Sequence, residues 1–595
     1  MTTRASRSPR RRTVVALAVV LAVLVGFIVR LVDIQVVNAD EHIEDSLEWA
    51  FSGSRDLHGS RGAITDASGN TLAGSILRYD VVIDPKNTGD ITRAGEDDVE
   101  STLTWPEASG LIGSVTGQEA DEIQRIVASA LAADPADQYE FVQRGISTEQ
   151  YRALADLELP YLTFEQHPAR TYPDGAVAGN LIGFMGTDEV PLAGLELSED
   201  DCLTATDGQL RFQRGKDGVI IPGTEVEDPA VDGGTLQLTI DRDLQWYLMQ
   251  LIAEQVQDMG ALSGSIMVTE VGTGKIRAAA EFPAVDPNNV AASPDDDRRS
   301  RIFTDWFEPG STFKALTAAT VIDAGGQNAQ STVVAASTET FANGARVRDS
   351  FVHPAYNYTL TGVLIDSSNA AISRISESVD PQTRYDYLQR FGVGAGSAVE
   401  FPGEQTGLLR PAAEWDNQTV YNTTYGQGLT TTLPELVGAY GAIANDGERV
   451  PLTLVEGCTA ADGTVTTADA PEPVRVVSED TATQVQQILE NVALQANYAD
   501  EIAVPGYRIA VKTGTGEKSD PVTGGYKSGA YFTTMIGFAP ADDPQYVVAV
   551  TLDEPTKVKS SVANAAAFQQ AMTQVLKTYR VMPSTTEPPV LPKFG

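Results

Sequence analysis

The first pattern in the chain is an uncharged, mostly apolar run from Thr13 to Val29, which Leu31 to Val37 continue with few interruptions. A helix needs about 17 to 25 such residues to cross a bilayer. Residues 13–37 are therefore predicted to form a transmembrane anchor. The alternative is a cleaved signal peptide, but Arg30 and Asp33 stand before its one weak cleavage candidate, Val37-Asn38-Ala39.

The charges before this run predict how the chain is oriented. Five arginines precede it: Arg4, Arg7, Arg10, Arg11 and Arg12. Basic flanks stay in the cytoplasm. Residues 1–12 are thus predicted to be a cytoplasmic tail of a single-pass membrane protein, and the rest of the chain is predicted to be extracytoplasmic.

Residues 42–229 show a mixed, loop-rich pattern. Short β-like runs, such as Tyr79 to Ile83 and Tyr161 to Phe164, alternate with polar helical segments such as Glu119 to Leu131. Arg61 to Asp66, followed by Gly69-Asn70, is typical of a strand and a turn. No side chains here have a catalytic spacing. This region is predicted to be a mixed α/β binding or spacer module, which we call the pedestal.

From Gly234 the hydrophobic pattern is stronger, and residues 234–581 are predicted to form a second domain. Its elements are a strand at Leu236 to Ile240, an amphipathic helix at Leu244 to Met259, a hairpin of Ser265 to Val271 and Lys275 to Ala280, late strands at Tyr507 to Lys512, Tyr531 to Phe538 and Tyr546 to Leu552, and a closing helix at Val562 to Tyr579. Two early strands, a helical middle and three late strands suggest one mixed sheet covered by helices. Residues 582–595 are Pro-rich and predicted to be loose.

Composition narrows the possible functions. The chain has 595 residues and a formal net charge of −39. Its length predicts two to four domains, and its acidity opposes nucleic-acid binding. Four scattered histidines and two cysteines give no metal-binding spacing, so neither a metal nor another cofactor is predicted. The sequence leaves open whether Cys202 and Cys458 pair.

One stretch carries candidate chemistry, from Phe307 to Lys314. Pro309 and Gly310 indicate a loop, and a helical pattern begins after Ser311 and ends at Gly325-Gly326. Residues three apart on a helix are neighbours, so Lys314 could take the proton of Ser311 if its pKa is depressed. The free Ser311 N–H could stabilise an oxyanion. Ser-x-x-Lys also arises by chance, so this pattern alone is weak.

Two further motifs follow in order. Ser367 and Asn369 could relay a proton and hold a peptide carbonyl, although such residues also commonly cap helices. Lys512-Thr513-Gly514-Thr515 is predicted to lie at the end of the apolar strand Ile509-Ala510-Val511. A cation and a hydroxyl there could bind a carboxylate, and Gly514 would let a backbone approach. The alternative is a solvated strand end.

Together, Ser311-x-x-Lys314, Ser367-x-Asn369 and Lys512-Thr513-Gly514 resemble the three motifs of penicillin-binding proteins and serine β-lactamases. Further stretches are similar to class B, monofunctional penicillin-binding proteins: Arg30 to Gln35, Arg61-Gly62-x-Ile64-x-Asp66-x-x-Gly69, Arg170-x-Tyr172-Pro173, Gly194-Leu195-Glu196 and Tyr425-Gly426-Gln427-Gly428. The resemblance implies an α+β fold. A five-stranded antiparallel sheet flanked by helices would form the transpeptidase domain, behind a non-catalytic pedestal of the dimerisation type.

The resemblance also implies D,D-transpeptidation of peptidoglycan stem peptides, in which Ser311 attacks the D-Ala-D-Ala carbonyl and an amine of a neighbouring stem resolves the acyl-enzyme. Lys314 would be the base and Ser367 would pass the proton to the leaving amine. The family pattern further implies that Asn369 holds the donor peptide, that Lys512, Thr513 and Thr515 bind its terminal carboxylate, that Lys512 also poises Lys314 by like-charge repulsion, and that the N–H groups of Ser311 and Thr515 form the oxyanion hole. Gly516 departs from the alanine that the family often has, which is expected to matter little.

The resemblance implies partners as well: donor and acceptor stem peptides, β-lactams as covalent inhibitors, and a membrane-embedded glycan polymerase with division proteins. Phe307-Glu308-Pro309-Gly310 is more similar to the septal branch, which acts in cell division, than to the elongation branch. Three alternatives remain: an elongation-specific transpeptidase, a β-lactamase or β-lactam sensor, and a non-catalytic division scaffold.

Overall fold

The computed structural model describes residues 9–32, 53–94, 100–186, 189–213, 220–467, 472–520 and 523–595. The chain divides into two compact units. One comprises Met1–Gly59 with Ala205–Val231, and the other comprises Ser60–Thr204 with Asp232–Gly595. The last residues of the predicted anchor, 33–37, and the first of the pedestal, 42–52, lie outside the described residues, as do residues 1–8 of the predicted tail.

The α-helices of the described residues differ widely in length. In chain order they are α1 (Pro9–Val32), α2 (Trp105–Thr116), α3 (Ala120–Ala133), α4 (Thr148–Ala155), α5 (Gly179–Ile182), α6 (Gly194–Ser198), α7 (Asp200–Leu203), α8 (Arg242–Met259), α9 (Arg301–Thr304), α10 (Lys314–Asp323), α11 (Leu360–Ile365), α12 (Asn369–Ile375), α13 (Pro381–Arg390), α14 (Thr419–Asn422), α15 (Leu433–Ala444), α16 (Glu479–Gln495), α17 (Ala499–Ile502) and α18 (Ala565–Thr578).

The strands occur throughout the chain. They are β1 (Gly53–Leu57), β2 (Ile64–Thr65), β3 (Thr71–Ile83), β4 (Ile91–Ala94), β5 (Glu100–Leu103), β6 (Glu140–Ile146), β7 (Leu162–Thr171), β8 (Gly208–Phe212), β9 (Val226–Asp228), β10 (Thr235–Leu238), β11 (Ser263–Glu270), β12 (Ile276–Phe282), β13 (Trp306–Phe307), β14 (Thr332–Ala335), β15 (Thr338–Thr340), β16 (Arg346–Arg348), β17 (Tyr356–Thr359), β18 (Thr431–Thr432), β19 (Glu448–Arg449), β20 (Val455–Thr459), β21 (Val465–Thr466), β22 (Val474–Arg475), β23 (Ala510–Ser519), β24 (Tyr526–Ala539) and β25 (Tyr546–Asp553).

The smaller unit contains α1 and the antiparallel sheet β1-β8-β9. In α1, residues Thr13–Val32 have a mean hydropathy of 2.9, and none of that window is buried by the rest of the chain. An apolar helix that its own protein leaves uncovered is suited to a lipid environment. The described part of the helix is thus consistent with a single-pass membrane anchor.

The larger unit is built on a five-stranded sheet in the order β12-β11-β25-β24-β23. Each neighbouring pair is antiparallel, so the family resemblance predicted the sheet correctly and the mixed sheet suggested by chain order was wrong. Helices α8 and α18 pack together on one face, whereas α15 and α16 pack on the other. The buried apolar side chains of all these elements form one continuous core.

Strand β23 extends farther than the apolar pattern indicated. It continues to Ser519, so Lys512 to Thr515 lie within the strand and not at its end. The prediction failed because β24 pairs with every residue from Ala510 to Glu517, and backbone hydrogen bonds hold the strand where its side chains are polar. Among the described strands, β23 forms one edge of this sheet.

A second sheet joins the pedestal to residues beyond Gly234. Its order is β21-β20-β10-β2-β3-β6, with β7 also paired to β3. Strand β10 runs parallel to β2 and antiparallel to β20. At the same place Cys202 and Cys458 form a disulfide, which answers the question that the sequence left open.

A buried charge cluster lies in the larger unit. Glu196 is fully buried and accepts hydrogen bonds from Arg61 Nε at 2.7 Å, from Arg170 Nε at 2.6 Å and from the Tyr172 hydroxyl at 3.2 Å. Arg61 also pairs with Asp200 at 2.6 Å. Three of the stretches that resemble class B penicillin-binding proteins therefore meet at one carboxylate.

The C-terminal segment, residues 582–595, is packed and not loose as predicted. Asn491 donates to the Pro589 carbonyl at 2.8 Å, and Gln495 donates to the Leu591 carbonyl at 3.0 Å. Phe594 contacts the rings of Tyr356 and Tyr358. Side chains of α16 and β17 thus satisfy the backbone of a Pro-rich segment that forms no helix, which is a long-range effect that composition does not reveal.

Candidate active site

Ser311 lies in a turn of 3₁₀-helix, Gly310–Phe313, which runs directly into α10. Gly310 has a φ of 55°, and a Cβ at this position would lie 2.7 Å from the Thr515 carbonyl oxygen. A residue with a side chain would be strained there and would push the turn away from β23. The predicted position of Ser311, at the start of a helix and one turn before Lys314, is confirmed.

The ammonium of Lys314 is the centre of the site. Its Nζ lies 2.8 Å from Ser311 Oγ, 2.7 Å from the Ser367 carbonyl oxygen, 3.1 Å from Ser367 Oγ and 2.6 Å from Asn369 Oδ1. The side chain is fully buried. A neutral lysine has a lone pair, so in that state the Ser311 hydroxyl can donate to Nζ.

Lys512 approaches the same group from the sheet. Its Nζ lies 3.0 Å from Ser367 Oγ and 3.2 Å from the Thr513 carbonyl oxygen, and it is also fully buried. Ser367 Oγ is therefore within hydrogen-bond distance of both lysines. The structure brings Ser311, Lys314, Ser367, Asn369 and Lys512, from three separate motifs, into one cluster.

Burial and like charge change the acidity of the two lysines. Burial lowers the pKa of Lys314 well below its ordinary value, and the positive charge of Lys512 lowers that pKa further. Burial lowers the pKa of Lys512 to about 7. Removing an ammonium from water disfavours its charged form, so Lys314 can act as a base near neutral pH.

The Ser367–Asn369 motif both caps a helix and supplies side chains to the candidate active site. Ser368 is the N-cap of α12 and accepts a hydrogen bond from the Ala371 N–H at 2.9 Å. Ser367, just before it, has a φ of 55°, a left-handed conformation that is rare for serine. The helix-cap interpretation thus applies to Ser368. The residues before and after Ser368, Ser367 and Asn369, both contact Lys314.

Sequence reasoning missed Asp349. This buried carboxylate accepts from the Ser368 hydroxyl at 2.7 Å and from the Ala370 N–H at 2.9 Å, and it lies 2.8 Å from His353 Nε2. It also opposes the lowering of the Lys314 pKa. Asp349 lies in the loop after β16, where neither hydrophobic period nor motif spacing distinguishes it from a surface residue.

The glycines of β23 allow its backbone to contact the Ser311 turn. A Cβ on Gly514 would lie 2.5 Å from the Pro309 carbonyl oxygen, and one on Gly516 would lie 2.0 Å from that of Glu308. An alanine at position 516 would therefore force the Glu308 backbone or β23 to shift, and whether the departure from the family's alanine matters little stays a prediction.

The remaining predicted residues lie nearby with fewer contacts to the cluster. The Thr513 hydroxyl is buried 3.4 Å from the hydroxyl of Tyr498, a neighbour that the motif did not reveal. Thr515 is half-buried, and its backbone lies against Gly310. The roles of Thr513, Gly514 and Thr515 in substrate binding, and of the Ser311 and Thr515 N–H groups as an oxyanion hole, stay predictions.

Two protein families match the chain. Residues 264–573 match the penicillin binding protein transpeptidase domain. Residues 56–238 match the penicillin-binding protein dimerisation domain. Together the two matches include most of the pedestal strands, nearly all of the five-stranded sheet and each motif of the candidate site.

Several proteins of known name are similar along most of their length. Penicillin-binding protein PbpB of Mycolicibacterium smegmatis is 34% identical over 454 residues, which cover 74% of this chain and 70% of that protein. Peptidoglycan D,D-transpeptidase FtsI of Escherichia coli K12 is 29% identical over 566 residues, 95% of this chain and 90% of that protein.

A solved structure has a similar fold. The apo crystal structure of penicillin binding protein 3 from Mycobacterium tuberculosis aligns with a TM-score of 0.68 and 28% identity. The alignment covers 90% of this chain and 99% of that one.

Proposed function

The chain belongs to the class B penicillin-binding protein transpeptidases, and on this premise we propose that Ser311, Lys314, Ser367 and Lys512 form its catalytic centre. The chain is a peptidoglycan D,D-transpeptidase, a serine-type enzyme that cross-links stem peptides. The observation that best supports these residues is the 2.8 Å contact between Lys314 Nζ and Ser311 Oγ in a buried cluster with a second lysine.

In acylation, Ser311 Oγ attacks the carbonyl carbon of the D-Ala-D-Ala peptide bond while neutral Lys314 accepts its proton. A serine needs such a base because its hydroxyl is a weak nucleophile at neutral pH. The C–N bond then breaks and D-alanine leaves with a proton that Ser367 passes on. Ser367 Oγ suits this relay because it lies 3.1 Å from Lys314 Nζ and 3.0 Å from Lys512 Nζ.

The donor peptide is proposed to lie along the edge that β23 forms among the described strands of the sheet. An extended peptide can pair with an exposed strand edge through its backbone. Lys512, Thr513 and Thr515 would bind the terminal carboxylate, and Asn369 would hold the peptide. The N–H groups of Ser311 and Thr515 would stabilise the oxyanion; the close approach of Gly310 to the Thr515 backbone supports this pairing.

An amine of a neighbouring stem completes the reaction by attacking the Ser311 ester, which restores the Ser311 hydroxyl and forms the cross-link. Penicillin would acylate Ser311 by the same steps, since its strained amide presents a carbonyl to the nucleophile. The reaction so written needs no cofactor, because both half-reactions are acyl transfers with proton movement.

The protein is proposed to be anchored by α1, with the transpeptidase domain outside the cytoplasmic membrane. The arginines that precede Thr13 support this orientation. Digestion of spheroplasts with added protease should remove the domain, and N-terminal sequencing of membrane material should begin near Met1. A mature start near Asp40 would show a cleaved signal peptide instead.

The septal branch is the finer proposal, with a polytopic glycan polymerase and division proteins as partners. The sequence Phe307-Glu308-Pro309-Gly310 and the similarity to FtsI support it. Depletion should then block division while elongation continues, whereas rounded or swollen cells would indicate the elongation branch. A pedestal before the motifs disfavours a β-lactamase or sensor, and the intact lysine cluster disfavours a scaffold without catalysis.

The test of the catalytic assignment is labelling with penicillin. Intact-mass spectrometry of the wild type should show one adduct, and Ser311→Ala should show none while its melting temperature stays near that of the wild type. Pre-treatment of the wild type with unlabelled penicillin is the control for specific labelling by a fluorescent one. An adduct that persists in Ser311→Ala would refute Ser311 as the nucleophile.

A further inference from the structure

The C-terminal segment contacts the element that carries Ser367. Thr359, at the end of β17, donates through its hydroxyl to the Pro592 carbonyl at 2.6 Å and through its N–H to the Lys593 carbonyl at 3.2 Å. The same threonine caps the next helix, α11, by accepting from the Gly362 N–H at 2.9 Å. The segment is thus fixed to the first turn of α11.

A glycine makes room for this contact. A Cβ on Gly362 would lie 1.9 Å from the Lys593 carbonyl oxygen, so any side chain at this position would displace the segment. Gly362 lies in an ordinary helix, where glycine is less favourable than alanine. The close approach of the segment gives a physical reason for a glycine in α11.

The other end of α11 is fixed by a side chain of the same segment. Lys593 Nζ lies 2.5 Å from Asp366 Oδ1, and the Asp366 carboxylate also accepts from the Tyr358 hydroxyl at 3.1 Å. Asp366 is the residue before Ser367 and forms the C-cap of α11. It is largely buried, with 16% of its side chain exposed, so its ion pair is only partly screened by water.

Ser367 lies in the turn that Asp366 begins, where its N–H donates to the Leu364 carbonyl at 3.3 Å. Its φ of 55° places it in the left-handed region, which costs a serine free energy and persists only where neighbours impose it. Within the described residues, this geometry puts Ser367 Oγ between Lys314 and Lys512. A small rotation at Asp366 would move Oγ away from one lysine or the other.

We propose that the C-terminal segment is a clasp on α11, and that Lys593 is a positioning residue which, through Asp366, holds Ser367 in its catalytic conformation. The proposal rests on the role assigned to Ser367 above. Lys593 is not proposed to touch substrate or the reacting atoms. It acts by restricting the conformation of a residue that does.

The test is the kinetics of acylation by penicillin in the full chain, resolved into the dissociation constant of the encounter complex and the rate constant of acylation. Lys593→Ala should lower the rate constant about fivefold while the dissociation constant stays within about twofold, since an ion pair of this exposure holds geometry more than it contributes stability. Lys593→Arg should restore the rate. Lys577→Ala, at an exposed position on α18, is the matched control.

Two further variants probe the same contact from its other side. Asp366→Asn should lower the acylation rate as Lys593→Ala does, and the double variant should show no additional loss. Gly362→Ala should displace the segment and give a similar fall. Wild-type rates in Lys593→Ala and Asp366→Asn would overturn the proposal. So would a rate that falls only in step with the melting temperature and is not restored by arginine. Failure of the wild type to acylate would instead refute the catalytic assignment itself.

Discussion

Two buried clusters in the larger unit each place two cations around one oxygen-bearing side chain. In the pedestal, Arg61 and Arg170 flank the carboxylate of Glu196. In the transpeptidase domain, Lys314 and Lys512 flank the hydroxyl of Ser367. The geometry is similar, but the central group is an anion in one cluster and a neutral donor and acceptor in the other.

This difference changes what burial does to the cations. Burial alone would lower the pKa of Arg61, but its hydrogen bonds to Glu196 and Asp200 raise it above the ordinary value. Among the described residues, neither lysine in the site pairs with a carboxylate, and burial lowers both of their pKa values. A compensated cluster stays charged and fixes the fold, whereas an uncompensated one yields a base.

The largest expected effect is on the uncompensated cluster. Lys314→Ala removes the base while Ser311 remains, so the rate of acylation by penicillin should fall about 10³-fold, in the middle of the range for a general base. Stopped-flow or quenched mass spectrometry measures this rate. The variant should still fold, because among the described residues Lys314 forms no ion pair with a carboxylate, and its melting temperature checks this. A rate within tenfold of the wild type would place the base elsewhere.

A substitution in the compensated cluster around Glu196 should lower the free energy of unfolding and leave the rate of acylation unchanged. Glu196→Gln leaves two buried arginines around a neutral amide, and removal of one partner from a buried ion pair costs about 3 kcal/mol or more of unfolding free energy. Urea denaturation measures this loss, with Glu149→Gln as the control at an exposed site. The acylation rate per folded molecule should stay within about twofold. A selective loss of rate would mean that the pedestal cluster influences catalysis.

Gly516→Ala should have an intermediate effect, because it moves one lysine of the cluster relative to the other. The added Cβ would clash with the Glu308 carbonyl and shift β23, which carries Lys512. Overpacking of this kind costs about 1–3 kcal/mol of free energy. Acylation should therefore slow about tenfold. Gly272→Ala is the control, since a Cβ there would meet no atom within 4 Å. Equal rates for the two variants would show that β23 tolerates the methyl group.

The smallest effects are shifts in the pH dependence. Acylation should rise with pH as Lys314 loses its proton. Lys512→Gln removes a positive charge, so the pKa of Lys314 should rise and the acid limb should move to higher pH. Asp349→Asn removes a negative charge, and that limb should move to lower pH. Each shift should be about one unit or less. Shifts in the same direction would contradict the electrostatic assignment, whatever the absolute rates.

The sequence predicted the parts of the molecule that depend on local pattern. Ser311 and Lys314 lie one turn apart at a helix start, and Ser367, Asn369 and Lys512 belong to the cluster that their motifs implied. The helix from Leu244 to Met259 also agrees with α8 to within two residues. The helix features follow from spacing along the chain, which a single sequence contains. The meeting of the three motifs in one cluster was implied by the resemblance to penicillin-binding proteins.

The failures concern contacts between distant residues. Strand β23 continues beyond its apolar residues because β24 supplies its hydrogen bonds. The C-terminal segment is ordered by Asn491 and Gln495. The close approach of Gly516 to Glu308, which is remote in sequence, was also not predicted. The hydrophobic period and the composition of a segment indicate only the secondary structure of that segment. Neither could therefore predict these distant partners.

The sheet shared by the pedestal and the later residues has a consequence for the order of assembly. A ribosome makes β2 and β3 early, but β20, the neighbour of β10 in that sheet, appears only after the motifs of Ser311 and Ser367 have been synthesised. Cys202 and Cys458 are 256 positions apart. Cys202 therefore cannot pair with Cys458 until the intervening chain has been made, and formation of this disulfide would report that β20 has joined the sheet.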